Sequence, residues 1–419
     1  MPTKKTKKAL VPKLRFPEFK AKNKWDYTTL RENASIIKKK AGEDKFPVMS
    51  VESGVGLISQ LEKFGRDISG KSYKNYTVIH QGDFAYNKSA TKVFPEGFIA
   101  KYNDKEKVAV PNSIFTCFRL TKGTINGDYL YYQLLDNLHG RWLRKFITVG
   151  ARANGALSIN NEDLLNLPVP LPVGSQSIQE QQKIANCLGS LDKLIAAHTS
   201  KLEALQDHKK GLLQKLFPAE GETVPELRFP EFENTKGWEV KTIAKCSKSF
   251  SGGTPSSGNN TYYGGVTPFI RSGEINKDYT ALYLTSEGLS NSAAKLVNEG
   301  DLLVALYGAN SGDVAISKIT GAINQAILCI RSVNNYFLCY YLTLKKDEIL
   351  EKYLQGGQGN LSGEIIKSLK LGFPEADEQK AISDSLFKLD KIITKISLSV
   401  DDMKNHKKAL MQQLFPNSN

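Results

Sequence analysis

Two short stretches contain residue types that could do chemistry. GRDISGKS (residues 65–72) fits the phosphate-binding pattern G-x-x-x-x-G-K-[ST], and Glu239-Val240-Lys241 pairs a carboxylate with a lysine, as metal-dependent nucleases do. A phosphate-binding loop follows a buried strand and opens a helix, whereas residues 60–64 are mostly polar and the residues after the motif resemble a strand. The first-half positions aligned with residues 239–241 are Asp26-Tyr27-Thr28, which lack the lysine. Neither stretch predicts an active site.

The remaining reactive residues do not form a catalytic or metal-binding pattern either. His139, His208 and His406 lie in helical, basic surroundings without a nucleophile beside them. The five cysteines are scattered and none forms a CxxC pair, which disfavours a zinc site and fits reduced thiols in a cytoplasm. No apolar run reaches the roughly 20 residues of a membrane span. We therefore expect a cytoplasmic protein that is not an enzyme.

The charge of the chain favours a polyanionic partner. The net charge is +14, and its excess lies in the first half: residues 11–175 hold 25 basic and 16 acidic residues, whereas residues 224–375 hold 15 of each. A basic excess confined to one part of a chain is typical of nucleic-acid binding.

The chain is also an internal repeat. VPKLRFPEF (residues 11–19) returns as VPELRFPEF (residues 224–232), and a tryptophan follows at the same distance in each copy, Trp25 and Trp238. QGDF at residues 81–84 corresponds to EGDL at residues 299–302. Residues 180–218 align without a gap with residues 378–416, and both segments end in LFP. The sequence is thus two copies of one plan, with a repeated entry, a variable middle and a repeated terminal segment.

The terminal segments predict two long helices. Apolar residues recur in steps of four and three over residues 184–216 and 382–414, which is the heptad pattern of a coiled coil. Each helix would be about 60 Å long at about 1.5 Å per residue. Lys209 interrupts the first seam, and we expect its side chain to extend from the edge of the seam into solvent.

The two halves are joined by a segment that begins with LFP (residues 216–218) and ends with LRFPEF (residues 227–232). The same two motifs recur at the chain ends, with LRFPEF at residues 14–19 and LFP at residues 414–416. This predicts a closed, pseudo-two-fold arrangement in which the helices pair and the C-terminal end lies beside the N-terminal end. The repeated hexapeptide would be a structural joint that packs Leu14, Phe16 and Phe19 against a helix end, or Leu227, Phe229 and Phe232 in the second copy. The middles read as mixed α/β, and each has a helical stretch, roughly at residues 128–146 and 336–354. Their loops are rich in Gly, Ser, Asn and Thr, and residues 249–265 are the most pronounced of them.

These features together resemble one family. Two variable middles, each followed by a long helix that ends HKK-x-L-x-x-x-LFP, are similar to the specificity subunit of a type I restriction–modification system. The paired LRFPEF segments, GGTPS in the second middle and YNKS (residues 86–89) in the first belong to the same pattern. The resemblance covers residues 11–416.

The resemblance implies an α+β fold. Two α/β target recognition domains would be joined by two long helices that form an antiparallel coiled coil, as a pseudo-two-fold repeat with a circular arrangement. The expected boundaries are a basic tail (1–10), the first recognition domain (11–175), the central helix (176–218), the second recognition domain (219–375) and the distal helix (376–416).

The resemblance also implies function and partners. Each recognition domain would read one half of a bipartite site in double-stranded DNA, and the helices would set the gap between the half-sites. Two methyltransferase subunits, which bind S-adenosylmethionine, and two restriction subunits, which use ATP and Mg, would do the chemistry, so that this chain needs no cofactor. A coiled-coil adaptor that presents two protein-binding domains without reading DNA is the alternative.

Residues for DNA contact are chosen by type and loop position, because Arg, Lys, Asn, Gln and small hydroxyl residues contact bases and phosphates. In the first domain the candidates are Lys38, Lys39, Lys40, Ser50, Glu52, Tyr86, Asn87, Lys88 and Arg152. In the second domain they are Thr254, Ser256, Arg271, Ser272, Asn310 and Gln358.

Overall fold

The computed structural model describes residues 10–20, 24–65, 70, 72–147, 156–354 and 360–416. The chain forms two compact units, each an α/β domain (the expected recognition domain) with parts of both long helices. Unit 1 holds the described residues up to His198 and those from Ser399 onward, and unit 2 holds residues 199–398.

Unit 1 contains ten strands and five short helices among its described residues, and the first long helix begins in it. The strands are β1 (Lys24–Thr29), β2 (Ala34–Ile36), β3 (Met49–Glu52), β4 (Gly56–Ser59), β5 (Thr77–Ile79), β6 (Phe84–Asn87), β7 (Phe98–Lys101), β8 (Val108–Val110), β9 (Phe115–Leu120) and β10 (Pro168–Val173). The helices are α1 (Leu30–Asn33), α2 (Gln60–Phe64), α3 (Gly127–Leu135), α4 (Leu138–Leu143), α5 (Asn161–Leu165) and the long α6 (Ser177–Leu216).

Unit 2 repeats this order of elements. Its strands are β11 (Glu239–Thr242), β12 (Ser247–Ser251), β13 (Tyr263–Ile270), β14 (Tyr283–Leu284), β15 (Lys295–Val297), β16 (Leu302–Ala305), β17 (Val314–Ile316), β18 (Gly321–Ile323), β19 (Ile327–Ser332) and β20 (Lys370–Phe373). Its helices are α7 (Ile243–Cys246), α8 (Ser286–Ser290), α9 (Asn335–Leu344), α10 (Lys346–Leu354), α11 (Gly363–Ser368) and the long α12 (Ala376–Leu414).

Two sheets form a framework that both units share. A two-stranded ribbon, β1–β10 or β11–β20, brings the start and the end of each recognition domain together. A four-stranded antiparallel sheet has the order β2-β9-β6-β7 in unit 1 and β12-β19-β16-β17 in unit 2. The repeated QGDF and EGDL segments carry the same ion pair on this sheet, Asp83 with Arg119 and Asp301 with Arg331. The middles therefore share more structure than their sequences suggest.

A second set of strands is added to this framework, and its pairing is the same in both units. Unit 1 adds the hairpin β3–β4 and the pair β5–β8, which are joined by a parallel bridge between Val48 and Ala109. Unit 2 adds the corresponding strands as one four-stranded sheet with the order β14-β13-β18-β15, in which β13 and β18 are parallel. The units therefore differ in how continuous this second sheet is.

The main core of each unit combines the recognition domain with the long helices. In unit 1, Trp25 and Leu188 share one apolar core with Phe415, which follows α12. In unit 2, Trp238 packs edge-to-face on Phe217, which follows α6, with ring centroids 5.9 Å apart. Apolar faces from strand, domain helix and long helix are buried together, so neither the domain nor the helix pair completes its core alone.

The repeated hexapeptide forms the same joint in both units. The N–H of Leu14 donates to the carbonyl of Gln413 near the end of α12 (2.9 Å), and the N–H of Leu227 donates to the carbonyl of Lys215 near the end of α6 (2.8 Å). The C-terminal end thus lies beside the N-terminal end in unit 1, as predicted. Phe19 is buried, and Phe16 and Phe229 pack against the two cores, whereas Leu14 and Leu227 are 40% and 41% exposed.

An arginine in each joint has a partner that sequence reasoning missed. Arg15 donates through two nitrogens to the buried carboxylate of Glu180 at 2.7 and 2.8 Å. Arg228 makes the same pair with Glu378, with both distances 2.7 Å. The fork geometry of arginine fits a carboxylate in two places at once, which fixes the entry segment to the first turns of a long helix.

The two long helices pair antiparallel within each unit. In unit 1 the start of α6 shares a core with the end of α12, and in unit 2 the end of α6 shares a core with the start of α12. The expectation for Lys209 was wrong, because its ammonium binds the carboxylate of Asp390 on α12 instead of extending freely into solvent.

The shorter predicted helices are each divided in two. Residues 128–146 form α3 and α4 with a break at Asn137, which has a left-handed backbone (φ 60°). Residues 336–354 form α9 and α10 with a break at Lys345. Asparagine accepts this backbone conformation more readily than most residues, so the first break has a local cause that a periodic pattern does not reveal.

Candidate nucleic-acid interface

The topology of the four-stranded sheets brings several candidate residues of each domain to one end of the sheet. Strands β2 and β6 are both antiparallel to β9, so they run parallel to each other and their carboxyl ends lie at the same end of the sheet. Strands β12 and β16 have the same relation to β19. Seven of the fifteen candidates follow these strands: Lys38, Lys39, Lys40, Lys88, Thr254, Ser256 and Asn310. We call this end of each sheet, with the residues that follow β2 and β6 or β12 and β16, the variable edge.

Three consecutive lysines lie at the variable edge of unit 1. Lys38, Lys39 and Lys40 are exposed and follow β2 directly. The segment is held to β5, because the carbonyl of Lys39 accepts the N–H of Val78 (3.0 Å) and Lys40 Nζ donates to Thr77 Oγ1 (3.2 Å). The backbone is therefore fixed while positive charge faces solvent, an arrangement that suits phosphate contacts.

Tyr86 and Asn87, at the end of β6, are not exposed. Tyr86 is fully buried and its hydroxyl donates to the carbonyl of Glu96 (2.8 Å). The amide of Asn87 donates to the carbonyl of Val51 on β3 (3.1 Å), which ties the added hairpin to the sheet. This burial argues against direct DNA contact by either side chain, and both support the variable edge from inside.

Two further candidates also have internal partners. Lys88 is half-buried, and its ammonium donates to the carbonyl of Ile159 (2.8 Å). Ser50 is buried and its hydroxyl accepts a hydrogen bond from Gln60 (3.1 Å). Their polar groups therefore serve the domain, and neither presents a free group to a duplex in this structure.

Glu52 lies on β3 and pairs with Lys63. This pair joins the hairpin to the segment around α2 and neutralises the carboxylate. Arg152 lies outside the described residues.

In unit 2 the variable edge begins with the GGTPS segment. Thr254 is exposed, and its hydroxyl donates to the side-chain oxygen of Gln325, just before β19 (2.5 Å). Ser256 is exposed as well. Gln325 was missed by sequence reasoning; the polar step NQ between two apolar runs was its only signal. A glutamine and a threonine at a sheet edge are residue types that read base edges in a major groove.

Arg271 follows β13 and is held by a buried carboxylate. Its guanidinium donates to the Glu274 carboxylate at 2.9 and 3.2 Å, and the backbone N–H of Arg271 donates to the same carboxylate (3.2 Å). Burial alone would raise the pKa of Glu274, but the bonds from Arg271, Ala281 and Thr280 outweigh it and lower the pKa to about 2. The arginine is nearly half exposed, so its fork is oriented and part of it remains accessible.

A small polar pocket lies beside Arg271, with a volume of about 260 Å³. Two candidates, Ser272 and Asn310, line it together, and so does Asn276, which the sequence did not single out. The ion pair of Lys346 with Asp313 closes one side. Side chains separated by nearly 40 positions in the sequence thus converge on one opening. Gln358 lies outside the described residues.

Of the two stretches with possible chemistry, residues 239–241 are described in full and GRDISGKS only in part. A short helix, α2, precedes GRDISGKS where a phosphate-binding loop would have a strand, and Lys71 lies outside the described residues. Lys241 binds its neighbour Glu239 (2.5 Å) on β11. Within the described part of the chain, His, Cys, Asp and Glu side chains form no group of three that could hold a metal ion. His139 is buried, which lowers its pKa, and its ring contacts the carbonyl of Gly97.

Comparison with known proteins assigns the chain to a family. The model for the type I restriction modification DNA specificity domain matches twice, over residues 19–207 and 235–400. The chain belongs to this family. The match confirms the interpretation as a DNA specificity subunit, and its two copies coincide with the internal repeat.

Similar proteins agree with the assignment. The chain is 27% identical over 410 residues to a protein from Methanocaldococcus jannaschii provisionally named the type I restriction enzyme MjaX specificity subunit, covering 93% of this chain and 92% of the relative. The MjaVIII specificity subunit of the same organism is 24% identical over 193 residues, covering 45% of this chain and 43% of that protein.

Solved structures show the same fold. The S subunit of a type I restriction–modification system from M. genitalium superposes with a TM-score of 0.62 at 14% identity, covering 97% of this chain and all of that one. A chain from a structure of the assembly and conformational transition of a type I system gives 0.56 at 15% identity, with 94% and 98% covered. The predicted α+β fold of two recognition domains with two long helices is confirmed.

The target recognition domains of this specificity subunit are the two α/β regions described above. Among the described residues, none of the helices has the length and apolarity that a membrane crossing requires.

Proposed function

We propose that this chain reads a bipartite site in double-stranded DNA, with one target recognition domain for each half-site. The observation that carries the proposal is the variable edge, which occurs at the same end of the same sheet in both domains but carries different polar residues. A shared framework with unlike contact residues is what two unlike half-sites require. The adaptor alternative has no comparable observation in its favour, and membership of a DNA specificity family counts against it.

The division of labour within the complex is part of the proposal. This chain contributes recognition and assembly, and two methyltransferase subunits that bind S-adenosylmethionine modify adenine in the site. Two restriction subunits, which use ATP and Mg, cleave DNA. The assignment is supported by family membership and by the solved relative from a type I assembly.

The DNA contacts are proposed from exposure at the variable edge. In the first domain Lys38, Lys39 and Lys40 would contact phosphates. In the second domain Thr254, Ser256 and Arg271 would contact DNA, with Ser272 and Asn310 in the pocket beside them. The near-neutral charge of the second domain fits a smaller share of phosphate contacts there and a larger share of polar base contacts.

Salt-dependent binding tests this assignment. Replacement of Lys38, Lys39 and Lys40 by glutamine removes three cations from the variable edge, while Lys193, Lys201 and Lys210, exposed on α6, provide a matched triple replacement. Affinity for a random-sequence duplex is measured by fluorescence anisotropy over a salt series. We expect the slope of log affinity against log salt to fall by about three for the first variant, since each lost phosphate contact lowers it by about one.

The control variant should keep a slope closer to that of the unmodified chain. If both triple variants change the slope equally, the variable edge of the first domain is not the phosphate-binding surface. If the unmodified chain shows no salt-dependent retention on DNA, the proposed function itself is contradicted.

A further inference from the structure

A tyrosine, an aspartate and a lysine from three different helices meet in unit 1. The hydroxyl of Tyr132 on α3 donates to Asp192 Oδ2 on α6 (2.7 Å). Lys407 Nζ on α12 donates to the other oxygen, Oδ1 (2.5 Å), and lies 5.2 Å from the centroid of the Tyr132 ring. One carboxylate thus joins the recognition domain to both long helices.

The same set occurs in unit 2 with the roles of the long helices exchanged. The hydroxyl of Tyr340 on α9 donates to Asp390 Oδ2 on α12 (2.7 Å), and Lys209 Nζ on α6 donates to Oδ1 (2.5 Å). The ammonium lies 5.3 Å from the centroid of the Tyr340 ring. The two units therefore have the same contacts between the same atoms at the same distances, although the helices α3 and α9 differ in sequence.

The tyrosines are buried and the charged groups are half-buried. Burial and then the bonded aspartate raise the pKa of Tyr132 and of Tyr340, so each hydroxyl stays protonated and acts as a donor. A partly exposed ion pair contributes little to the free energy of unfolding. The geometry of the three groups, however, defines one relative position of the helices, since the carboxylate accepts from the tyrosine on one side and from the lysine on the other.

The apolar residues of the helix seam do not by themselves fix a unique register, although the joints at the helix ends add to it. Apolar residues repeat every seven positions, so a slip of one heptad would still place apolar side chains opposite each other. Such a slip would place Val400 or Leu414, seven residues from Lys407, opposite Asp192 and leave the carboxylate without its cation. Polar residues within an apolar seam are known to select register in this way.

We infer that Tyr132–Asp192–Lys407 and Tyr340–Asp390–Lys209 are two register locks that set the number of unspecified base pairs between the half-sites. The inference rests on the proposed function of reading a bipartite site. A slip of one heptad moves a helix by about 10.5 Å, which equals about three base pairs at about 3.4 Å each. The six residues act as positioning residues, because none of them needs to contact DNA to change which sites are read.

The test maps N6-methyladenine in cells that carry the complete system with variants of this chain. Lys407→Asp places two carboxylates together in the first lock, and Asp192→Lys added to it restores an opposite pair. The matched control is Lys408→Asp, which makes the same charge change at the neighbouring exposed position. The second lock is tested in the same way. The single variant is Lys209→Asp, the compensating change added to it is Asp390→Lys, and the control is Lys210→Asp.

We expect Lys407→Asp to keep both half-sites but lower methylation at the native gap about ten-fold, with new methylation at other gap lengths, since two carboxylates would face each other in the native register. The double variant should recover most methylation at the native gap, and Lys408→Asp should resemble the unmodified chain. The gap length is the decisive quantity, because loss of stability alone would lower methylation without moving it to other gaps.

Three results would overturn the inference. The first is a folded Lys407→Asp variant with the same gap and methylation level as Lys408→Asp. The second is a lower methylation level at an unchanged gap. If the charge-reversed variants do not fold, the double variant Tyr132→Phe with Tyr340→Phe is used, because it removes only two hydroxyls. The third result is a distribution of gap lengths in this double variant that is as narrow as in the unmodified chain. Absence of any bipartite motif with the unmodified chain would instead contradict the proposed function.

Discussion

At the scale of single residues, Glu274 controls the orientation of Arg271, which adjoins the pocket lined by Ser272 and Asn310 in the second domain. The carboxylate is buried and accepts bonds from the Arg271 side chain and backbone, from the Thr280 hydroxyl (3.1 Å) and from the Ala281 N–H (3.2 Å). These donors favour the charged form strongly enough to overcome burial. The network connects a proposed DNA contact with the stability of the loop that carries it.

The lowered pKa of Glu274 predicts a pH-dependent stability. A carboxyl group whose pKa falls from 4.5 to about 2 on folding stabilises the folded state above pH 4.5, and this contribution is lost as the pH falls from 4.5 toward 2. We expect Glu274→Gln to lower the free energy of unfolding by about 1–3 kcal/mol at neutral pH. Its stability should then fall less steeply in acid than that of the unmodified chain. Urea unfolding at a series of pH values measures both effects.

Glu287→Gln, at an exposed position on α8, serves as the control and should keep the steepness of the unmodified chain. Parallel pH curves for Glu274→Gln and the unmodified chain would contradict the assigned network.

The joints show what a residue pattern does and does not determine. The repeated hexapeptide predicted a structural joint at a helix end, and the backbone bonds of Leu14 and Leu227 agree. Which side chains hold the joint could not be predicted, because Arg15 reaches a carboxylate 165 residues away. Pairing of charged groups distant in sequence depends on the completed fold. The same reason explains why Tyr86 and Asn87 were chosen as DNA contacts although the sheet encloses them.

At the scale of elements, the GGTPS segment owes its glycines to close packing. A Cβ on Gly252 would lie 1.8 Å from the carbonyl oxygen and 2.5 Å from the carbonyl carbon of Ile323, at the end of β18. Loops of this composition, rich in Gly, Ser, Asn and Thr, are often mobile surface turns. The contact instead fixes the start of the variable edge, two residues before Thr254, against the second sheet.

Gly252→Ala should therefore destabilise the second domain. We expect a loss of about 1–3 kcal/mol in the free energy of unfolding, as overpacking against a backbone atom requires the strands to move. Gly258→Ala is the matched control, since the nearest atom to its Cβ would be Ser256 Oγ at 4.0 Å, and its effect should stay within about 0.5 kcal/mol. Chemical denaturation followed by fluorescence measures both variants. If Gly252→Ala and Gly258→Ala had equal free energies of unfolding, the close packing of Gly252 against Ile323 would not restrain the segment.

The elements differ in how well the sequence predicted them. The long helices were predicted closely, because a heptad pattern continued over 30 or more residues has few alternative explanations. The added strands were not predicted in detail: β13 and β18 are parallel partners about 50 residues apart, and short strands give weak patterns. Whether a candidate side chain is buried or exposed depends on such pairings, which the sequence does not reveal, and the DNA contacts stay predictions.

At the scale of the whole molecule, the chain is one plan used twice. Each unit has the same ribbon, four-stranded sheet, joint and set of three helix residues, and the variable edge differs between them. Under the proposed function, each variable edge reads one half-site, so two edges with different residues would read different sequences. The account therefore predicts one DNA motif with two different halves.

A genome-wide map of N6-methyladenine, in cells with this gene and in cells from which it has been deleted, tests this claim most directly. We predict that one bipartite motif, with two short half-sites around a fixed unspecified gap, loses methylation on deletion while all other motifs keep theirs. A map in which no motif changes in cells that contain the partner subunits would contradict the account.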